Sequence, residues 1–333
     1  MSKRSLAANL LRRLGVLHTL EALRSKPGIL IATHHRIGNA SASRFDRALY
    51  SASTDELDQQ LKYFKRHFHV VDGEELEAIV SGKEKLTHMS VAITFDDGYI
   101  DDYLTSFNIL KSNDCTGFFF LVSEYVGTNT IPWWDEIAYR VRNTKKTSLS
   151  FQYPVPLTIN LTSDRQPAIR TVLSHYKRPD NHHGEKLLEQ LRLQTECELP
   201  ITGRRFINWE ETREMQAAGM TIGSHTRSHR ILGQLSPEDQ WLELSKSKKA
   251  IEEGIGSSIT SIAYPVGIYG SFNQTTERIA QELGYRLGFS FYGGVNTPQR
   301  MQPTNLLRMA TNPDALLFRA ETLFLSRIGW LPY

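Results

Sequence analysis

Between residues 28 and 124, short unbroken apolar runs alternate with stretches whose apolar positions recur every three or four residues. Unbroken runs belong to strands buried on both faces, and the wider spacing to one face of a helix, so the alternation predicts βα units and a largely parallel sheet. The predicted strands are 29–33, 69–71, 90–95 and 117–122. Between them, Ser53 and Glu56 form a capping box for a helix striped by Leu57, Leu61 and Phe64. Asp72 caps a helix carrying Leu76, Ile79 and Val80, and Tyr103, Phe107 and Leu110 stripe the next.

The rhythm stops over about 124–205 and resumes with a second box, Asn208 and Glu211. Strands at 220–224, 259–264 and 285–290 follow, separated by helices opening at Ser236-Pro237 and at 274. The count is about seven βα repeats. The silent interval, with Trp133, Trp134 and Asp135 and a polar loop at 178–185, reads as an insertion outside the barrel rather than a second core. Residues 1–27 form an N-terminal amphipathic helix with Leu10, Leu14 and Leu17 on one stripe and Arg12, Arg13 and Arg24 elsewhere. Such a helix packs on the domain or rests on an anionic lipid surface. The rest, 28–333, is the barrel.

Composition removes several classes. The 333 residues carry 39 Lys+Arg against 36 Asp+Glu, net +3, with no basic block interleaved with aromatics, so no nucleic-acid partner is expected. Cys115 and Cys197 lack CxxC spacing, which excludes a thiolate zinc site and leaves at most one chance disulfide. No apolar run nears the roughly 20 residues of a membrane span. Arg12 and Arg13 break any signal-like apolar region, so the expected location is the cytoplasm, with the N-terminal helix able to reach the inner face of the membrane.

Two clusters at strand ends carry chemistry. Thr94-Phe95-Asp96-Asp97-Gly98-Tyr99 puts two carboxylates at a strand tip, one able to bind a metal while the other stays free as a base. A plain turn also favours Asp and Gly. Gly223-Ser224-His225-Thr226-Arg227-Ser228-His229 has two histidines four apart, facing the same way over one helical turn, a spacing that suits one divalent metal. Together they offer a carboxylate and two histidines, the three-ligand set of catalytic zinc sites; iron, cobalt and nickel accept it too. Trp133, Trp134 and Tyr264 are candidates for stacking on sugar faces, or core residues. Asp135 binds a sugar hydroxyl or caps a helix. His182 and His183 sit in a polar loop, and His67, His69 and His88 show no partner pattern.

The sequence resembles the NodB-type polysaccharide deacetylases, carbohydrate esterase family 4, over roughly 28–310. TFDDGY is similar to their first motif and HTRSH to their second. The resemblance implies a distorted (β/α)7 barrel and metal-dependent deacetylation of an N-acetylated saccharide. By motif position, Asp97, His225 and His229 bind the metal, zinc by default, Asp96 is the general base and the Tyr99 N–H helps hold the oxyanion. The chain departs from the pattern where the third-motif arginine falls on Ala263 and where the late Leu-x-His histidine is missing. In a subset resembling biofilm poly-N-acetylglucosamine deacetylases a first-strand histidine serves as the acid, and His35 of His34-His35-Arg36 matches best. Arg308 or Arg36 is expected to orient Asp96 in place of the lost arginine. A glycan-binding pseudoenzyme, or a deacylase of another amide, is the competing reading.

Overall fold

Every residue of the two longest strands, β1 (Gly28–His34) and β2 (Met89–Asp97), is buried, as their unbroken apolar runs require. The computed structural model describes residues 3–23 and 25–329. The two-residue strand His69–Val70 pairs in parallel with the start of β2, and five further strands complete the main path of the sheet: β3 (Phe118–Leu121), β4 (Thr221–Ser224), β5 (Ser261–Ala263), β6 (Leu287–Phe289) and β7 (Met309–Ala310). They pair in parallel in the order β6-β5-β4-β3-β2-β1-β7. The sheet curls until its two edges are linked by Leu306, which bridges Phe289 and exchanges backbone hydrogen bonds with Gly288 and Ser290. This is the distorted seven-stranded βα barrel expected.

Side-chain alternation sorts the strands into two sets. Ile29, Ile31, Ala92, Phe118, Phe120 and Phe289 form one cluster, joined by Leu76 and Ile79 of the Gly73–Val80 helix. Their neighbours Leu30, Ala32, Val91, Ile93 and Phe119 pack with Leu57, Leu61 and Phe64 of the Thr54–His67 helix. Period-two geometry permits no other sorting once both faces are covered. Both predicted capping boxes form, at Ser53/Glu56 and Asn208/Glu211.

The inserted stretch holds helices Trp133–Asn143, Gln166–Tyr176 and Gly184–Thr195 with an antiparallel hairpin, Ser148–Phe151 and Leu157–Asn160. Unlike the expected excursion, it encloses an apolar cluster of its own. Ile137 with Val141, Ile169 with Leu173, and Leu187 with Leu191 are pairs four apart, and each pair is buried in that cluster. Tyr99 and Phe206 enter the cluster from the barrel side.

The N-terminal segment forms two helices, Lys3–Arg13 and Val16–Ala22, rather than one. Gly15 at φ 73 breaks the chain between them, a conformation that costs glycine little. The break splits the predicted stripe. Leu17 and Leu20 join Ala8 against Leu317, Ala320, Leu323 and Phe324 of the Ala315–Ile328 helix. Leu6, Leu10 and Leu14 stay 56, 58 and 67% exposed. Met1, Ser2 and Arg24 lie outside the described residues. Among the described residues no helix is long and apolar enough to cross a membrane. Cys115 and Cys197 are free thiols, so the chance disulfide does not form.

Candidate metal centre and groove

Strict alternation sends adjacent strand residues to opposite faces, which would separate Asp96 from Asp97. The chain avoids this by turning left-handed at Asp97 (φ 81), with Gly98 continuing the turn (φ 75). Both carboxylates then meet His225: its Nε2 lies 3.6 Å from Asp97 Oδ1 and 4.0 Å from Asp96 Oδ2. His229 Nε2 is 3.5 Å from the same Asp97 oxygen.

The two histidines do not ride on a helix, contrary to the expectation from their spacing. They occupy the loop leaving β4, where Thr226 (φ 65) and His229 (φ 59) are left-handed and fold the chain back. Non-glycine residues rarely adopt that conformation, and it is found where a site demands it. The rings end 4.8 Å apart between centroids.

The three ligand candidates fit a metal on their own geometry. Around a tetrahedral ion with bonds of about 2.1 Å, ligand atoms sit roughly 3.4 Å apart, close to the 3.5 and 3.6 Å separations from Asp97 Oδ1. That oxygen is buried and makes no hydrogen bond. Burial, and then the charge of Asp96, push the Asp97 carboxyl well above its ordinary range, an imbalance a cation relieves. The His225 Nδ1 faces the Ala263 carbonyl at 2.8 Å, which fixes the tautomer that leaves Nε2 free as a ligand. The position lacking its family arginine thus contributes through its backbone.

Asp96 is held differently. Arg308, buried between β6 and β7, donates from both terminal nitrogens to the two Asp96 oxygens at 2.7 and 2.8 Å, and its Nε donates to the Ser290 carbonyl at 2.9 Å. The planar fork matches the carboxylate in-plane. Burial alone would raise the Asp96 pKa, but the Arg308 charge and then His225 outweigh it and hold the group well below the carboxylate range. Of the two arginines expected here, only Arg308 is in place. Arg36 instead makes a bidentate pair with Asp101 at 2.8 Å and lies over the rings of Tyr50 and Tyr99.

At the tip of β1 alternation separates the two histidines. His34 is buried against Phe95, its Nε2 3.0 Å from Gln60. His35 faces the groove, and burial lowers its pKa to about 4 despite the nearby Asp96.

The groove has a volume of about 900 Å³ and is lined by Asp96, Asp97, His225, His229, His35 and Arg308 together with Trp133 and Trp134. Trp134 packs 4.3 Å from His229 and Trp133 stacks on Tyr176, so each tryptophan is both wall and core. The buried Trp133 Nε1 has no hydrogen-bond partner. Tyr264 is not a sugar platform: it is fully buried and donates to the Thr304 carbonyl at 2.9 Å. Asp135 neither caps its helix nor reaches the groove. It accepts from the Tyr99 hydroxyl at 2.8 Å, from the Asp46 N–H at 3.0 Å and from Arg205. Tyr99 is therefore anchored by its side chain. Its backbone bridge to Phe206 is made by Ile100 N–H to Arg205 and Ile207 N–H to Gly98, so neither bridge bond uses the Tyr99 N–H. His182 and His183 are exposed, and His69 pairs with Glu75.

Sequence reasoning missed Asp46, Arg170 and Lys177, which also line the groove. All three sit outside the βα rhythm, with no motif to mark them.

The polysaccharide deacetylase family model matches residues 83–288. The chain belongs to the polysaccharide deacetylase family. Its relatives include YxkH of Bacillus subtilis (strain 168), 26% identical over 195 residues, a match that spans 56% of this chain and 65% of that protein. Among solved structures, the Streptococcus pyogenes deacetylase PplD superposes with a TM-score of 0.57 at 19% identity, covering 92% of this chain and 100% of PplD. IcaB from Ammonifex degensii gives 0.58 at 20% identity over 88% of this chain and 96% of IcaB. These two likenesses establish the shared fold.

Proposed function

We propose that this family member hydrolyses N-acetyl groups of an amino sugar in a saccharide. The observation that carries the reading is the convergence on one groove of the Asp97, His225 and His229 set with a carboxylate, Asp96, kept ionised by Arg308. A divalent metal held by that set, zinc by its donor types with iron, cobalt or nickel also compatible, would supply a water of lowered pKa and a polarised acetyl carbonyl. Asp96 accepts the proton of the attacking water, and Arg308 fixes the plane in which it does so. The Tyr99 N–H donates to the oxygen on which charge develops. His35 protonates the departing nitrogen, giving acetate and a free amine. Because burial lowers the His35 pKa to about 4, it has to collect that proton within the cycle.

Acetate release from defined N-acetylated saccharides, wild type beside Asp96→Asn, tests the reading. Binding of the saccharide with no acetate released by the wild type would leave a glycan-binding protein on the same barrel. Full turnover in the variant would remove Asp96 as the base.

The exposed Leu6 and Leu10, four apart on a helix without an acidic residue, and the exposed Leu14 in the turn that follows it support a second element of this reading. They dock the protein peripherally on an anionic membrane surface, at the cytoplasmic face. Co-sedimentation with anionic vesicles that survives Leu10→Gln with Leu14→Gln would remove it.

A further inference from the structure

The insertion supplies the wall of the groove next to His229, and its face is cationic. On the Gln166–Tyr176 helix and its C-terminal end, Arg170, Leu173, Ser174 and Lys177 recur at i, i+3, i+4 and i+7, and all four line the groove, followed by Arg178. Arg178 is neutralised by a bidentate pair with Asp180. The side chains of Arg170 and Lys177 make no hydrogen bond or ion pair among the described residues, and the Lys177 backbone N–H donates to the Leu173 carbonyl. The Lys177 ammonium is drawn into the groove, 5.8 Å from the Trp133 ring centroid, in the fields of Asp46 and Asp97.

A half-buried ammonium without a hydrogen-bonded counter-charge pays part of its desolvation cost, and a ligand that brings an oxyanion recovers it. The acidic side chains lining the groove do not fill that need. Asp96 is taken by Arg308 and Asp97 belongs to the metal set. Asp46 spends an oxygen on the Ala48 N–H at 3.0 Å, and no hydrogen bond among the described residues joins it to Lys177.

Resting on the deacetylase reading, we propose that the preferred substrate is an anionic saccharide, carrying a carboxylate or phosphate on the acetylated sugar or its immediate neighbour. Arg170 and Lys177 bind that group.

The test uses the full-length protein with its metal and three matched probes: a neutral N-acetylglucosamine oligomer, the same length with a uronate neighbour, and a phosphorylated form. Binding is measured by calorimetry on Asp96→Asn, and kcat/KM by acetate release on the active chain. The expected result is a preference of about tenfold or more for one of the anionic probes, as for a charge-assisted contact, declining with added salt. In Arg170→Gln with Lys177→Met the anionic-to-neutral ratio collapses toward unity, and in Lys177→Arg it persists. The carboxylate and phosphate probes decide which oxyanion the wall takes. Equal or better binding of the neutral oligomer, or a preference untouched by the double variant, overturns the proposal. Lys177-dependent binding of an anionic probe without acetate release upholds this inference and sinks the deacetylase reading alone.

Discussion

Two buried aspartate–arginine pairs differ in what surrounds them. Asp96 with Arg308 belongs to the barrel mouth, and Asp135 with Arg205 to the core of the insertion. Both carboxylates are buried, yet their proton affinities move in opposite directions. Burial raises Asp135 above its ordinary pKa, and Arg205, which reaches one oxygen only, does not reverse the shift. Asp96 faces the same penalty, but Arg308 grips both oxygens and His225 adds to the field, so it stays ionised. A buried ion pair is therefore not by itself a sign of chemistry. What distinguishes Asp96 is that it opens onto a groove beside the metal ligands, whereas every contact of Asp135 is to the protein.

The largest effect should come from the ligand set. His225→Ala is expected to abolish turnover and to lose the roughly one equivalent of divalent metal that elemental analysis should find in the wild type. Metal retained in the variant would detach the barrel-mouth pair from any metal chemistry.

The two aspartates should then fail in different currencies. Asp96→Asn should lower kcat by about 10²–10⁴, the scale of a lost general base, even well below its melting temperature, and because it leaves Arg308 buried without its counter-charge it also costs stability. Asp135→Ala leaves Arg205 buried and unpaired and should cost about 3–5 kcal/mol of stability, read by denaturant unfolding. If Asp135→Ala melted like the wild type, the insertion's pair would not be structural and the contrast would collapse.

Arg308→Met sharpens the electrostatic half of the comparison. It should lower activity by about 10–100-fold, as loss of an orienting partner does. The sign of the pH effect follows from the cause. Asp96 must be ionised to act, and Arg308 depresses its pKa, so removing the charge moves the acid limb of kcat/KM to higher pH. A profile that stayed in place would show that Arg308 only packs.

Tyr99→Phe removes a hydroxyl that donates to Asp135 and accepts from Trp134 Nε1 at 2.9 Å. It should cost about 1–3 kcal/mol of stability with a smaller effect on turnover, because the backbone N–H assigned to the reaction is untouched. The smallest stability change belongs to Leu10→Gln with Leu14→Gln, within about 0.5 kcal/mol per exposed site, while vesicle binding should drop.

Much of this molecule was legible in its sequence because the relevant physics is local. A strand buried on both faces has to be apolar throughout, a helix has to show its stripe, and a capping box needs only four residues, so β1, β2, and the Ser53 and Asn208 helix starts could be read directly. The pairing of Asp96-Asp97 with His225 and His229 was legible for a related reason, since parallel strands deliver their tips to one end of a barrel. Tertiary structure alone decided the rest. Arg308 stands 212 residues from Asp96 and meets it only because the sheet curls until β7 lies beside β1. The choice of Arg308 over Arg36 depended on Asp101 claiming Arg36 first. The left-handed turns at Asp97, Thr226 and His229 leave no periodic trace, because they override local preference for the sake of contacts made elsewhere. The cationic wall of the groove was equally hidden: a lysine ending a polar helix looks solvated in a sequence, and only the docking of the insertion against the barrel turns Lys177 inward.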